Sequence, residues 1–121
     1  MKQMIKIEIP IEPLPQPRAR VTRKGTYQPA KIVKYKTAIK QAAMEKMKGS
    51  EPTEQAVKCI IKVYRKYKVT SRRYGDLDNL YKAITDALNG VVYKDDSQII
   101  KCVIEKYQSA EMKIEIEIEA A

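Results

Sequence analysis

The chain contains no histidine. That excludes an imidazole-held metal, a Ser-His-Asp triad and a histidine general base. A metal bound here would sit among oxygens, which points to magnesium or manganese. Cysteine is scarce. Cys59 and Cys102 fall in strand-like apolar stretches without CxxC spacing, so they read as free thiols rather than a disulfide. No apolar run approaches the roughly 20 residues that cross a bilayer, and the alternating N-terminus with Lys2 and Lys6 is no signal-peptide core. Fixed-period repeats, low-complexity tracts and unbroken blocks of like charge are also absent. The expectation is a soluble, intracellular protein. A length of 121 residues with 44% hydrophobic content suits one domain, 1–121, around one core.

Acid is missing where base is dense. The net charge is +9. Between Arg18 and Lys48, ten basic residues (Arg18, Arg20, Arg23, Lys24, Lys31, Lys34, Lys36, Lys40, Lys46, Lys48) face one acid, Glu45. From Lys58 to Arg73, a stretch that includes Lys62, Lys66, Arg72 and Arg73, there is no acid. Such a surface suits nucleic acid or another polyanion. The alternative is a solvated basic face.

Met4–Ile9 alternates, with Ile5, Ile7 and Ile9 on one side, and reads as a half-buried strand. Pro10, Pro13, Pro15 and Pro17 exclude a helix or interior strand, so Pro13–Pro29 reads as a loop. Its Arg18, Arg20, Arg23 and Lys24 suggest either an arm that orders on phosphates or a plain connection. Lys31–Lys48 reads as a helix stopped by Gly49, with Ile32, Tyr35, Ile39 and Ala42 toward the core. Gln55–Val69 alternates as a long strand with a lysine-rich outer face suited to a sugar-phosphate backbone. A helix to about Asn89 follows, with Leu77, Leu80, Ile84, Ala87 and Leu88 as its apolar face and Gly90 as its stop. Ile99–Tyr107 and Met112–Glu119 complete the chain as strands expected to pair as an antiparallel hairpin. The outer Glu115, Glu117 and Glu119 are expected to point away from DNA. The predicted fold is α+β: a mixed four-stranded sheet in the order β-α-β-α-β-β, with two helices on one face.

The informative stretch is Gly75–Gln98, GDLDNLYKAITDALNGVVYKDDSQ. Each aspartate alone has a plain explanation. Asp76 or Asp78 could cap the helix, Asp78 could pair with Lys82, and Asp95-Asp96-Ser97 could be a polar turn. Together they ask for more. Asp76 and Asp78 are two apart, so just before a helix both side chains point the same way, and one cap needs one carboxylate. The chain then has length enough to return Asp95 and Asp96 toward the helix start. Gathered carboxylates repel one another unless a cation neutralises them. Hard divalent cations take such ligands, activate water and offset charge on a scissile phosphate. Lys82, one turn beyond Asp78, could assist at that phosphate or at the nucleophilic water.

The run Asp76-Leu77-Asp78-Asn79-Leu80, then Lys82, Asp86, Ala87, Leu88, Gly90 and the Asp95-Asp96 pair before Gln98, resembles the RusA family of Holliday-junction resolvases. The length, the basic character and the proline- and arginine-rich loop after a first strand fit as well. The resemblance implies a homodimeric endodeoxyribonuclease, dependent on Mg2+ or Mn2+, that nicks four-way DNA in recombination and repair. By position, Asp76, Asp78 and Asp96 would be metal-binding and catalytic, Asp95 adjacent and supporting, and Lys82 the catalytic lysine. A cytoplasmic bacterial or phage setting, often a prophage, comes with the resemblance, and no membrane or organic cofactor is implied. Ile60, Val91, Val92 and Tyr93 are candidates for the partner surface. Two other readings stay open: a non-catalytic basic DNA-binding module, and a nuclease for flaps, forks or RNA.

Overall fold

In the computed structural model, described for residues 4–17, 20–22, 25–27 and 29–121 with only the backbone of 20–22 and 25–27, the strands are set by alternation. Strand β1 (Met4–Ile9) buries Ile7 and Ile9; β4 (Val57–Arg65) buries Val57, Cys59, Ile61 and Val63; β6 (Lys113–Ala120) buries Ile114, Ile116 and Ile118. With β5 (Ile99–Gln108) they form a sheet in the order β1-β6-β4-β5. The β1–β6 and β6–β4 pairs are antiparallel, and β4–β5 is parallel. Helix α1 (Ala30–Met47) adds Ile32, Tyr35, Ile39 and Ala43 to the core, and α2 (Leu77–Leu88) adds Leu80, Ala83, Ile84, Ala87 and Leu88. Both helices cover the same, inward face of the sheet, giving the α+β architecture expected from the alternation of periods.

The boundaries differ in instructive places. The first helix ends with Lys48 in the left-handed region, φ 50°, followed by Gly49 at φ 81°. Ala43 is buried rather than Ala42, and Leu77 is 42% exposed at the mouth of α2, where a helix has not yet turned toward the core. Strand β4 stops at Arg65, so Lys66 and Lys68 lie in the turn beyond it. The Pro13–Pro29 segment is not all loop: β2 (Arg20–Thr22) and β3 (Gly25–Tyr27) pair as an antiparallel ribbon. Before it, Pro13 is buried and Ile11 and Leu14 pack on the core, so residues 11–17 form a packed strap. Among the described residues, no helix is long and apolar enough to cross a membrane.

The expected β5–β6 hairpin does not form. The chain steps from β5 over the end of β4 and lays β6 on the other side, between β4 and β1. Ser109 N–H donates to the Arg65 carbonyl at 2.8 Å, closing that end of β4. Two strand spacings are roughly 10 Å, and a four-residue link reaches about 13 Å. A short connection therefore permits either arrangement, and burial decides. β6 inserts three isoleucines into the core, so it takes a central position.

This insertion corrects the charge expectation. Lys58 stands opposite Glu119 and Lys62 opposite Glu115, with Glu105 on the other side of Lys62. The lysine row of β4 and the glutamate row of β6 share one open face, with opposite charges in register across the strands. They are not a DNA face and a face turned away from it. Val91, Val92 and Tyr93 are buried within the subunit, while Ile60 stays 39% exposed on the open face. Cys59 and Cys102 are free thiols, directly opposite on β4 and β5.

Candidate active site

The turn before α2 is built to present carboxylates. Tyr74 is fully buried; its hydroxyl lies 2.8 Å from the Val63 carbonyl and 2.6 Å from the Tyr107 carbonyl, and it accepts from Tyr107 N–H at 3.1 Å. The chain is thereby pinned to the β4–β5 edge two residues before Asp76. Gly75 follows at φ 99°, where a Cβ would come 2.9 Å from Pro15. Only glycine fits both the angle and the contact. Asp76 then returns to extended geometry as the N-cap residue of α2, and its carbonyl accepts from Leu80 N–H at 3.0 Å. Its side chain makes no capping bond. Among the described residues, neither Asp76 nor exposed Asp78 has a side-chain hydrogen bond or ion pair. The cap and Asp78–Lys82 explanations therefore do not account for them. Among the described residues, two carboxylates thus stand unengaged at a helix N-terminus, where the backbone dipole favours negative charge.

The second pair divides its work. Asp95 is the N-cap of a 3-10 turn, Asp96–Gln98, and closes a capping box. Its Oδ2 accepts from Ser97 N–H at 3.1 Å, and Gln98 Oε1 accepts from Asp95 N–H at 2.9 Å. The Ser97 bond holds the Asp95 carboxyl below its ordinary range. Gln98 Nε2 also donates to the Thr53 and Gln55 carbonyls at 2.8 Å each, tying the turn to the segment ahead of β4. Asp96 is half-buried and, among the described residues, has no side-chain hydrogen bond or ion pair. Of the two, Asp96 is the one free to act.

Lys82 pairs with Asp86 at 3.9 Å, and Asp86 also holds Lys36 of α1 at 3.7 Å. Tyr81, on the turn after Asp78, is half-buried, and its hydroxyl is raised above its usual range. Burial is the main cause, followed by Cys102, Cys59 and Asp96. Asp96 is thus within electrostatic reach of α2. Among the described residues, no group of three or more acidic or thiol side chains stands at metal-holding spacing. The four aspartates therefore do not form one closed cage. That donor set still fits magnesium, which uses one or two carboxylates and completes its shell with water and substrate phosphate. Asp76 and Asp78 supply unengaged oxygens of that kind.

Of the basic candidates, Lys31 and Lys34 are exposed on α1, Arg72 and Arg73 are exposed in the loop leading to Gly75, and Lys66 is exposed just past β4. Lys62 belongs to the mixed sheet face. Arg18, Arg23 and Lys24 lie outside the described residues, and Arg20 is described by its backbone alone. The reading of the sequence missed Arg65, which is 6% exposed and bonded to the loop beside the aspartates. The signal was available: position 65 falls in the inward register of β4, where an arginine needs partners.

Fold and site together define a small α+β protein whose carboxylates at Asp76, Asp78 and Asp96 are unengaged among the described residues, in a strongly basic chain. The model of the family described as Endodeoxyribonuclease RusA matches residues 10–119, and the chain belongs to that family. Over 43 residues it is also 44% identical to a Bacillus subtilis (strain 168) protein described as uncharacterized protein YqaN. That match covers 36% of this chain and 30% of the relative, less than a third of the relative's length.

Proposed function

We propose that the chain is a structure-selective endodeoxyribonuclease that resolves four-way DNA junctions with Mg2+ or Mn2+. The observation that carries the reading is that Asp76, Asp78 and Asp96 are unengaged among the described residues, while neighbouring Asp95 and Asp86 are committed to local bonds. Family membership supports the reaction class. Asp76, Asp78 and Asp96 would hold the metal, with Asp95 shaping the turn that carries Asp96. A bound divalent ion would supply an activated water and offset charge at the scissile phosphate. Lys82, released from Asp86, adds a positive charge one turn from Asp78, where charge grows on the phosphate. Lys31, Lys34, Arg72, Arg73, Lys66 and the Arg18–Lys24 segment would bind the backbone.

A homodimer belongs to this reading. A four-way junction has approximate two-fold symmetry, and two symmetric nicks need two sites. The open sheet face offers Met4, Ile60 and Val103, which are 54%, 39% and 40% exposed, between rows of lysine and glutamate. Such a face can meet its own copy, with lysines of one subunit opposite glutamates of the other. The test is a synthetic four-way junction beside a linear duplex of the same sequence, with and without magnesium. Magnesium-dependent cutting of the junction alone is expected. Binding without cutting in any divalent metal would favour the non-catalytic module, and cutting of flaps or forks in preference would move the substrate class.

A further inference from the structure

Arg65 ends β4 in the inward register, almost fully buried. A guanidinium in that place is strongly unfavourable unless its donors are satisfied; among the described residues the two terminal nitrogens are bonded and the buried Nε has no partner. Nη1 donates to the Arg73 carbonyl at 2.9 Å and the Tyr74 carbonyl at 2.8 Å, and Nη2 donates to Glu12 Oε1 at 2.6 Å. The guanidinium also lies over the ring of Tyr67 at 4.8 Å and near that of Tyr74 at 5.8 Å. One side chain therefore grips two segments: the two carbonyls just before Gly75-Asp76, and the root of the strap at Glu12. The same segments meet twice more. Gln16 N–H donates to the Asn79 carbonyl at 2.9 Å, and Pro15 packs on Gly75.

We propose that Arg65 is a positioning residue for the reaction: clamped between Glu12 and the Arg73 and Tyr74 carbonyls, it sets the Asp76–Asp78 turn against the strap. The proposal rests on the nuclease reading of those aspartates. Its chemistry explains the residue type. A planar fork of fixed donors reaches two carbonyls and a carboxylate at once, whereas a lysine ammonium is a point charge that cannot span them. A turn carrying two metal ligands needs such fixing, because a free loop would let like charges drift apart. Glu12 is 31% exposed at the far end of the clamp, so it can be altered without burying a new group.

A purely structural arginine would predict only altered stability. Removing one partner of a buried pair is destabilising in its own right, because Glu12 and the Arg73 and Tyr74 carbonyls lose their donor. The two roles are therefore separated by kcat, Mn2+ affinity and exchange in variants that stay folded, and not by stability. Arg65→Met, Arg65→Lys and Glu12→Gln are to be compared with the wild-type full chain. The measurements are kcat and KM on a four-way junction, Mn2+ affinity by titration, and hydrogen exchange of the 73–80 amides. Both Arg65 variants are expected to lose about 10- to 100-fold in kcat or in Mn2+ affinity. KM for the junction should move by less than about 3-fold, and exchange at 73–80 should quicken. Glu12→Gln should shift each in the same direction by less, and it serves as the test if the Arg65 variants fail to fold. Wild-type kcat and Mn2+ affinity in Arg65→Met, or in Glu12→Gln where that variant serves as the test, would overturn the proposal whether or not exchange quickens. If the wild type neither binds Mn2+ nor cuts, the nuclease reading falls. The exchange data then decide the clamp: quickened exchange keeps it as the fixing of the turn, and unchanged exchange removes it.

Discussion

Lys82 Nζ stands 3.9 Å from Asp86 Oδ2, one turn toward the C-terminus of α2, and not beside Asp78. Asp86 holds Lys36 as well, so it is a shared anchor between the helices. Lys82 is 62% exposed, and ion pairs of this kind contribute little to stability. Lys82→Ala is therefore expected to leave the melting temperature nearly unchanged while lowering kcat by about 10²-fold or more. Asp86→Asn, which frees the lysine, should leave activity within a few-fold of wild type. A calorimetric scan beside junction cleavage checks both, and equal cleavage by Lys82→Ala would remove Lys82 from the mechanism.

Asp76→Asn, Asp78→Asn and Asp96→Asn keep size and remove the charge a cation needs. Each is expected to abolish cleavage and leave junction binding within a few-fold, measured by gel shift in calcium and by cutting in magnesium. Asp95→Asn should behave differently. It weakens the capping box and lowers stability, yet retains measurable cutting. Three fully active variants at 76, 78 and 96 would end the nuclease reading, as would cleavage in excess chelator.

The Asp95 cap gives a pH prediction. Its bond to Ser97 depresses the carboxyl's folded pKa below the ordinary value. A depressed pKa contributes stability above the unfolded pKa, and that contribution is lost as pH falls through the folded pKa. The urea midpoint should drop more steeply with acidification below the ordinary carboxylate range in the wild type than in Asp95→Asn. Parallel curves for the two proteins would show that the cap adds nothing.

Gly75→Ala meets two obstacles, φ 99° and Pro15 at 2.9 Å. Strain of this kind costs about 1–3 kcal/mol. Urea denaturation should show that loss, together with reduced cutting, because the displaced residue adjoins Asp76. Adding Pro15→Ala removes the Cγ but keeps the Cβ that stands at 2.9 Å, and leaves the angle, so the double variant should recover little of the stability. No loss in Gly75→Ala would mean that the turn has another conformation open to it.

Junction affinity should fall steeply with salt, since each phosphate contact releases counterions. Lys31→Ala or Arg72→Ala should each reduce the log-log slope by about one. Lys62→Ala, flanked by Glu115 and Glu105, should change it least of these. Light scattering should report a dimer without DNA, and Ile60→Asp should weaken it. A mixed dimer of wild type and Asp76→Asn should convert a supercoiled cruciform mainly to nicked circles, where wild type gives linear plasmid. A monomer that still makes paired cuts would contradict this arrangement.

The alternation of Ile5, Ile7 and Ile9, and of Ile114, Ile116 and Ile118, determined strands and their inward faces, because the two-residue period is local to each segment. The 3.6-residue period of Leu80, Ile84, Ala87 and Leu88 did the same for α2. The run with Asp76, Asp78, Lys82 and the Asp95-Asp96 pair offered a candidate site and carried the resemblance to the family that the match over residues 10–119 shows. Which of those groups are free was not legible. The capping box at Asp95 and the Asp86–Lys82 pair depend on side-chain direction, and that is resolved only when the turn and helix are built. The position of β6 between β1 and β4 also belonged to the tertiary structure. Strand order is a contest among pairings that bury similar faces, and a four-residue link permits more than one winner. With that order came the mixed charge of the open face. The Arg65 clamp came last of all: its partners lie 53, 8 and 9 residues away in the chain, and only folding brings Glu12, Arg73 and Tyr74 to one guanidinium.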